Sequence, residues 1–157
     1  MTVRELEETV RDLIYRGILK LDAKDFAGWL ELCGPEFHYT ISAWSPEIRR
    51  EVIWLDHDRE GMANLIKLLP RHNSDQTPLA RHATVYTVDV DAGQPDTARA
   101  ITSVAIYATQ LDGGATDLWA LGRYHDVIAL GPDGPRLARR VVKLETRNLG
   151  IGKHWPL

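Results

Sequence analysis

Two long extended runs around a turn constrain this chain more than any other feature. They cover residues 118–130 and 136–148 and flank the turn Gly131-Pro132-Asp133-Gly134-Pro135. Proline presets φ and glycine supplies positive φ in such a turn, so the segment predicts a β-hairpin. Apolar residues lie on both faces of the first run, whereas a strand with one face in water alternates between apolar and polar residues. We therefore expect a sheet that is covered on both sides.

The N-terminal part of the chain has the apolar spacing of two amphipathic helices. The first covers residues 3–20, and Thr2 with Glu5 three positions later predicts a capping box at its start. In the second, Asp22 is the predicted N-cap and Gly34-Pro35 the predicted stop. The ends of both helices are predicted from residue types alone.

A third helix should follow, with Asp56 or Asp58 as its cap and Pro70 as its end. Residues 71–78 are polar and predict a loop. Alternation and turn residues predict six strands, at residues 37–43, 50–54, 82–91, 97–111, 116–130 and 136–148. Helices first and a run of antiparallel strands afterwards indicate an α+β fold.

A chain of 157 residues predicts a single domain, residues 1–157. Three helices can cover one face of a sheet, so the other apolar face needs a second cover. Leaving such a face in water is costly, and exposed apolar patches usually mark interfaces. A partner subunit is the simplest cover. The alternative is a sheet that curls until one face closes on itself.

Composition excludes several classes of protein. The net charge of −3 argues against a nucleic-acid-binding protein, which normally carries a basic surface. The single cysteine, Cys33, cannot form an internal disulfide and fits a reducing cytoplasm. The N-terminus has no apolar secretory core, and no run approaches the roughly 20 apolar residues of a membrane helix. We expect a cytoplasmic protein.

The search for chemistry finds no convincing ligand set. None of the six histidines has zinc-site spacing, and a Rieske cluster needs two cysteines. A mononuclear iron site could be drawn from Asp56-His57-Asp58 with His72, although helix capping and solvation explain these residues better. Cys33 and the five tryptophans are expected in the core. The prediction is therefore no catalytic, cofactor-binding or metal-binding residue in this chain.

Charged residues within apolar strands need a specific explanation. Arg140 lies among alanine, valine and leucine, and Arg123 and Asp126 lie within the first strand of the hairpin. A buried arginine must be paired, and its planar fork suits a carboxylate. A salt bridge, within the chain or between subunits, is the favoured interpretation. The functional alternative is an anion pocket inside the curved sheet.

The hairpin resembles that of a known family. Residues 122–128 (GRYHDVI) and 137–145 (LARRVVKLE) are similar to the C-terminal hairpin of the small (beta) subunits of Rieske-type aromatic-ring-hydroxylating oxygenases. Residues 25–32 and 37–41 resemble the family's second helix and first strand. The resemblance covers residues 13–148, and its specificity lies in the order and spacing of the motifs.

Further positions fit this pattern, and two depart from it. Arg81-His82 at a strand start and Ser103 within the next strand agree with the family. Tyr86 stands where a small polar residue is expected. The tail, residues 150–157, differs from the apolar ending of aromatic dioxygenases.

The resemblance implies an NTF2-like (SnoaL-like) cone, a strongly curved mixed or antiparallel sheet wrapped over three N-terminal helices. It implies assembly with a large alpha subunit, commonly as a three-plus-three hexamer, in which alpha holds the Rieske [2Fe-2S] cluster and a mononuclear Fe(II). Ferredoxin and reductase act on that alpha subunit. The beta subunit is then the structural, non-catalytic part of a mono- or dioxygenase of aromatic catabolism. Substrates of relatives include aromatic acids and short alkanesulfonates.

A rival hypothesis is a stand-alone enzyme of the same cone fold, such as a dehydratase, isomerase or cyclase. It would use a general acid–base pair in a pocket. His38, Tyr39, Asp56 and His125 are the candidate residues. A pure ligand-binding or scaffold module is a third possibility.

Overall fold

The computed structural model describes residues 1–72, 76–90, 93–149 and 156–157, with only the backbone described at 71 and 72. Within these residues the chain forms three helices and six strands. In chain order they are α1 (Val3–Asp22), α2 (Phe26–Glu31), β1 (Cys33–Ser45), β2 (Arg50–Asp58), α3 (Arg59–His72), β3 (Leu79–Val90), β4 (Thr97–Thr109), β5 (Thr116–Gly131) and β6 (Gly134–Leu144).

The strands form one sheet in the order β2-β1-β6-β5-β4-β3. β1 pairs with β6 in parallel, and every other neighbouring pair is antiparallel. The predicted hairpin is β5–β6, at the centre of the sheet. The α+β prediction is confirmed, and the sheet is mixed and open, with β2 and β3 as its edges. It does not close on itself.

Helix α1 forms as its sequence predicts. The Thr2 hydroxyl accepts a hydrogen bond from the Glu5 N–H, and the Glu5 carboxylate accepts one from the Thr2 N–H, so the capping box is present. The buried stripe of this helix packs mainly against β3. Its members are Val10, Leu13, Ile14, Ile18 and Leu21. Among the described residues, no helix has both the length and the apolar character needed to cross a membrane.

Helix α2 is shorter than predicted and starts at a different cap. Asp25, not Asp22, caps it and accepts a hydrogen bond from the Gly28 N–H at 3.0 Å. Asp22 instead accepts from the guanidinium of Arg81 at 2.8 Å, a partner 59 residues away. The helix ends at Glu31, and Cys33 begins β1 rather than extending the helix.

Helix α3 uses one of its two predicted caps and ends later than predicted. The Asp58 side chain accepts from the Gly61 N–H at 2.8 Å, so Asp58 is the cap and Asp56 remains on β2. Pro70 lies inside the helix, which continues to His72. Near a C-terminal turn, proline forfeits one hydrogen bond without preventing the last residues from staying helical. The predicted loop 71–78 begins later for that reason, and its residues 73–75 lie outside the described structure.

A glycine explains the close approach of the two hairpin strands. Gly122 on β5 pairs with Leu144 on β6. A Cβ added at Gly122 would lie 2.5 Å from the carbonyl oxygen of Lys143, a separation that real Cβ atoms do not reach. Only glycine therefore fits this point of the hairpin.

A fully buried ion pair joins the two strands of this hairpin. Arg140 on β6 donates through Nε and Nη2 to the two carboxylate oxygens of Asp126 on β5, at 2.8 and 2.9 Å. The two residues are 1% and 2% exposed. Burial alone would lower the pKa of Arg140, but the Asp126 carboxylate outweighs it and the pKa is raised. The predicted intrachain salt bridge is confirmed for this pair, whereas Arg123 is exposed on the other face.

Removing one member of this pair should be costly. Replacing Asp126→Leu keeps the approximate shape but leaves Arg140 buried without its carboxylate, and we expect a loss of about 3–5 kcal/mol in the free energy of unfolding. Urea unfolding followed by circular dichroism measures it. The exposed neighbour provides the control, because Arg139→Gln should change stability by less than about 0.5 kcal/mol. Equal effects of the two substitutions would contradict the assignment.

Candidate interaction surface

The four acid–base candidates do not converge on one site. His38 Nε2 is hydrogen-bonded to the Asp56 carboxylate across β1 and β2, and Thr40 donates to the same oxygen at 3.0 Å. The His38 and Asp56 side chains are 44% and 52% exposed. Tyr39 is fully buried on the opposite face. His125 lies three strands from Asp56, about 14 Å at ordinary strand spacing.

The electrostatics of these groups are those of a surface pair and a buried phenol. Hydrogen bonds from His38 and then Thr40 lower the pKa of Asp56. Burial raises the pKa of Tyr39, so this phenol stays protonated at neutral pH. Among the four candidates, only His38 and Asp56 are in contact, and both side chains of this pair are about half exposed to solvent.

Cys33 is the packed thiol that the sequence predicts. It is 4% exposed, and its thiol donates to the Trp29 carbonyl oxygen at 3.7 Å. Burial raises the pKa of Cys33 to about 12. A thiol that stays protonated is neither a nucleophile nor a ready metal ligand.

The residues considered as iron ligands in the sequence have separate structural roles. Asp58 caps α3, as a position at a helix start predicts, whereas Asp56 lies on β2 and binds His38. The side chain of His72, and His154 as a whole, lie outside the described residues. In the part of the chain that the structure describes, no group of three or more His, Cys, Asp or Glu side chains could hold a metal ion.

The outer face of the sheet, turned away from the helices, is mixed in character. The sequence predicted two largely apolar faces, because both contain many apolar residues. The register shows that outward apolar side chains alternate with charged ones across β4, β5 and β6. The apolar members are Ile101, Ala105, Leu121, Val127 and Val141, and the charged members are Arg99, Arg123, Arg139 and Lys143.

A groove of about 320 Å³ crosses this outer face. Arg99, Arg139 and Lys143 line it together with two acidic residues, Asp89 and Asp126, of which Asp126 is paired with Arg140 in the core. Ile101 and Val141 are among its apolar lining. The groove therefore carries a surplus of positive charge on an apolar floor.

A bulge turns one aromatic residue onto the same face. The register of β3 against β4 shifts between Val85 and Thr87, so Tyr86 and Thr87 both point outward and are exposed. The Tyr86 ring lies 5.8 Å from the Arg123 guanidinium carbon. The residue that departs from the family pattern is thus a surface residue.

The β1–β2 hairpin exposes the largest apolar side chains near a sheet edge. Trp44, Ile48, Ile53 and Trp54 are 52%, 53%, 60% and 52% exposed. Trp29, by contrast, is fully buried, so the expectation that tryptophans lie in the core holds there and fails for Trp44 and Trp54. A register shift opposite Ile53 leaves Trp54 outside the ladder. Sequence reasoning missed this patch because an apolar strand does not reveal that it is an edge.

This arrangement suits the binding of a partner protein better than the catalysis of a reaction. Aromatic and aliphatic side chains on an edge hairpin, beside an arginine-rich face, have the composition of a protein–protein interface. Edge strands with free backbone groups are also natural places for a partner to dock. We define the interaction surface as the β1–β2 hairpin (Trp44, Ile48, Ile53, Trp54) together with the outer face of β4–β6.

Known proteins resemble this chain in sequence over most of its length. The family model described as "Ring hydroxylating beta subunit" matches residues 17–150. The chain is 38% identical to the methanesulfonate monooxygenase hydroxylase subunit beta of Methylosulfonomonas methylovora, over 98% of this chain and 88% of that protein. It is 33% identical to the 2-aminobenzenesulfonate 2,3-dioxygenase subunit beta of Alcaligenes sp., over 95% and 97%.

Solved structures confirm the cone fold. The beta subunit of a candidate aromatic-ring-hydroxylating dioxygenase from Novosphingobium aromaticivorans superposes with a TM-score of 0.80 over 92% of both chains, at 18% identity. An NTF2-like protein with a cystatin-like fold from the same species gives 0.65 at 21% identity, covering 90% of this chain and 82% of that chain. At these identities the similarity establishes the fold alone.

The thiol should be unreactive while the protein is folded. Because Cys33 is buried and its pKa is raised to about 12, we expect no reaction with Ellman's reagent at pH 8 over hours. One equivalent should react at once in 6 M guanidinium chloride. Stoichiometric labelling of the folded chain would contradict the packing described for this residue.

The surface pair predicts a pH dependence of known sign. The lowered pKa of Asp56 means that its small stabilising effect is present at neutral pH and lost as the pH falls through that pKa. Removing the donor with His38→Ala should move the Asp56 pKa upward toward its ordinary value, as a carboxyl NMR titration would show. The global stability should change by less than about 1 kcal/mol. An unmoved Asp56 pKa would show that the two side chains do not interact.

Proposed function

This chain belongs to the family of ring-hydroxylating beta subunits, and on that premise we propose that it acts by binding a large alpha oxygenase subunit. It is then a structural component of an oxidoreductase and not a stand-alone dehydratase, isomerase or cyclase. The whole chain, residues 1–157, serves as one domain in this role. We propose that it contributes no catalytic, cofactor-binding or metal-binding residue.

The observation that supports this function best is the exposure of the β1–β2 hairpin. Ile53 and Trp54 are 60% and 52% exposed, on a sheet edge that has an unpaired ladder. A soluble domain rarely leaves such residues together in water unless a partner covers them. Tryptophan is also among the residues that most often dominate the energetics of an interface.

The metal centres are proposed to lie in the partner. A Rieske cluster takes two cysteines and two histidines, and this sequence has one cysteine, which is buried with a raised pKa. The donor set of this chain therefore does not fit the cluster. We assign the [2Fe-2S] cluster and the mononuclear Fe(II) to the alpha subunit, with a ferredoxin and a reductase delivering electrons to it.

A three-plus-three hexamer is the proposed assembly. In such a ring the beta subunits hold the alpha subunits so that the cluster of one lies near the iron of its neighbour. The role of the present chain is positional, since a small displacement between redox centres or reacting groups is costly in rate. The cytoplasm is the proposed location.

A sulfonate is the proposed substrate class. The names of the two curated relatives specify methanesulfonate and 2-aminobenzenesulfonate. Both substrates carry a sulfonate group, although one is a short alkane and the other aromatic. The alpha subunit, which would contact the substrate, decides between a short alkanesulfonate and an aromatic acid, and between mono- and dioxygenation.

Co-expression with the large subunit tests the proposal. The two chains should copurify in equal numbers with the absorbance of a Rieske cluster, and only the complex, supplied with a ferredoxin and a reductase, should oxidise a sulfonate. Purified alone, the chain should contain no stoichiometric iron and should show no oxygenase activity. Turnover or stoichiometric iron in the isolated chain would contradict the proposed division of labour.

Substitution on the hairpin tests where the partner binds. Ile53→Asp together with Trp54→Asp places charges in a contact that must be desolvated, so we expect at least a tenfold weaker association, or about 1.4 kcal/mol or more. Leu19→Asp on α1 is the matched control, since Leu19 is 69% exposed but lies away from this surface. Affinity is measured by titration on a biosensor. Weakening by the control alone would place the interface on the helices.

A further inference from the structure

The last two residues of the chain lie inside the cone. Pro156 and Leu157 are both buried, and Leu157 is 2% exposed within the same cluster as the core of the sheet. In the sequence, the tail (residues 150–157) differs from the family pattern, and nothing else about it could be predicted. Its end is instead part of the interior, the region enclosed between the helices and the inner face of the sheet.

The interior binds the backbone of these two residues through three hydrogen bonds. The Leu157 N–H donates to the Tyr39 hydroxyl at 2.9 Å, and the Tyr124 hydroxyl donates to the Leu157 main-chain oxygen at 2.8 Å. The Arg81 guanidinium donates to the Pro156 carbonyl oxygen at 3.0 Å. Donors and acceptors of an extended peptide are thus matched one by one, while the leucine side chain enters the apolar core.

The groups that make these contacts are themselves held in place. The Arg140 guanidinium stacks on the Tyr124 ring at 3.9 Å, and the Asp126 carboxylate accepts hydrogen bonds from the Nε and Nη2 edge of that guanidinium. Asp22 pairs with Arg81 at 2.8 Å. The buried ion pair of the hairpin therefore serves as the support of a tyrosine that binds the tail. Contacts prepared in this way lose little entropy when an occupant enters.

The tail provides hydrogen-bond partners for two buried hydroxyl groups. Tyr39 and Tyr124 are both completely buried with Leu157 in place. Without residues 156–157 both hydroxyl groups would lose the hydrogen bonds described here, each of which contributes to stability. An apolar leucine with an adjacent peptide group satisfies both tyrosines and fills the remaining volume.

We infer that the interior of the cone is a peptide-binding site built by Tyr39, Arg81 and Tyr124, with residues Pro156–Leu157 as its resident ligand in cis. The chemical class it accepts is a short peptide segment with an apolar side chain and a carbonyl oxygen on the residue before it. A short Pro-Leu peptide enters the same site in trans when the resident residues are removed. This inference is independent of the proposed partner and its metal centres.

Hydrogen exchange on the intact chain gives the first test. The Leu157 amide should exchange at least about 100-fold more slowly than in an unstructured peptide, because it is buried and bonded. Tyr39→Phe removes the acceptor and should restore faster exchange at this amide, by about tenfold or more. Tyr107→Phe, on the outer face, is the control and should leave the rate unchanged. Exchange of the Leu157 amide at the unstructured rate in the intact chain overturns the inference.

Deletion and rescue give the second test. A chain lacking residues 156–157 should lose roughly 5–15 °C in melting temperature, by analogy with removal of a buried leucine. Millimolar N-acetyl-Pro-Leu should raise the melting temperature again, and N-acetyl-Pro-Asp should not. If the deleted chain folds only with a ligand present, the same two peptides are compared for refolding yield. Equal effects of both peptides, or no loss on deletion, overturn the inference.

Discussion

The ion pair between Asp126 and Arg140 is the constraint on which the rest of this structure depends. Two charges that are almost completely buried are tolerated only when they are hydrogen-bonded to each other. This requirement allows β5 and β6 to pair in only one register. That register places Gly122 where the strands approach most closely and sets Tyr124 under the guanidinium. Gly122, Tyr124, Asp126 and Arg140 thus each have a structural role in this hairpin.

The same strands serve two surfaces because successive side chains point to opposite faces. On β5, Tyr124 and Asp126 point inward, and Arg123 and His125 point outward. Burial, followed by the charge of Lys143, lowers the pKa of His125, which agrees with the surplus of positive charge on the outer face. The inner face holds the fold and its own tail, and the outer face with the β1–β2 hairpin remains free to bind.

Local patterns allowed much of the fold to be predicted, and distant partners account for the rest. The capping box at Thr2 and the pairing of Arg140 follow from neighbouring residues and from charge in an apolar strand. Asp22 was wrongly expected to cap a helix because its real partner, Arg81, is 59 residues away. Trp54 was expected in the core because sequence does not show which strand is the edge. The proximity of Leu157 to two tyrosines has no local signal at all.

We propose that a large subunit covers the β1–β2 hairpin and the outer face of the sheet. Hydrogen exchange with mass spectrometry, on the chain alone and in complex with its large subunit, measures this contact. We expect new protection in residues 44–54 and in the central strands, with α1 unchanged. Protection confined to the helices, with residues 44–54 exchanging equally fast in both samples, would contradict it.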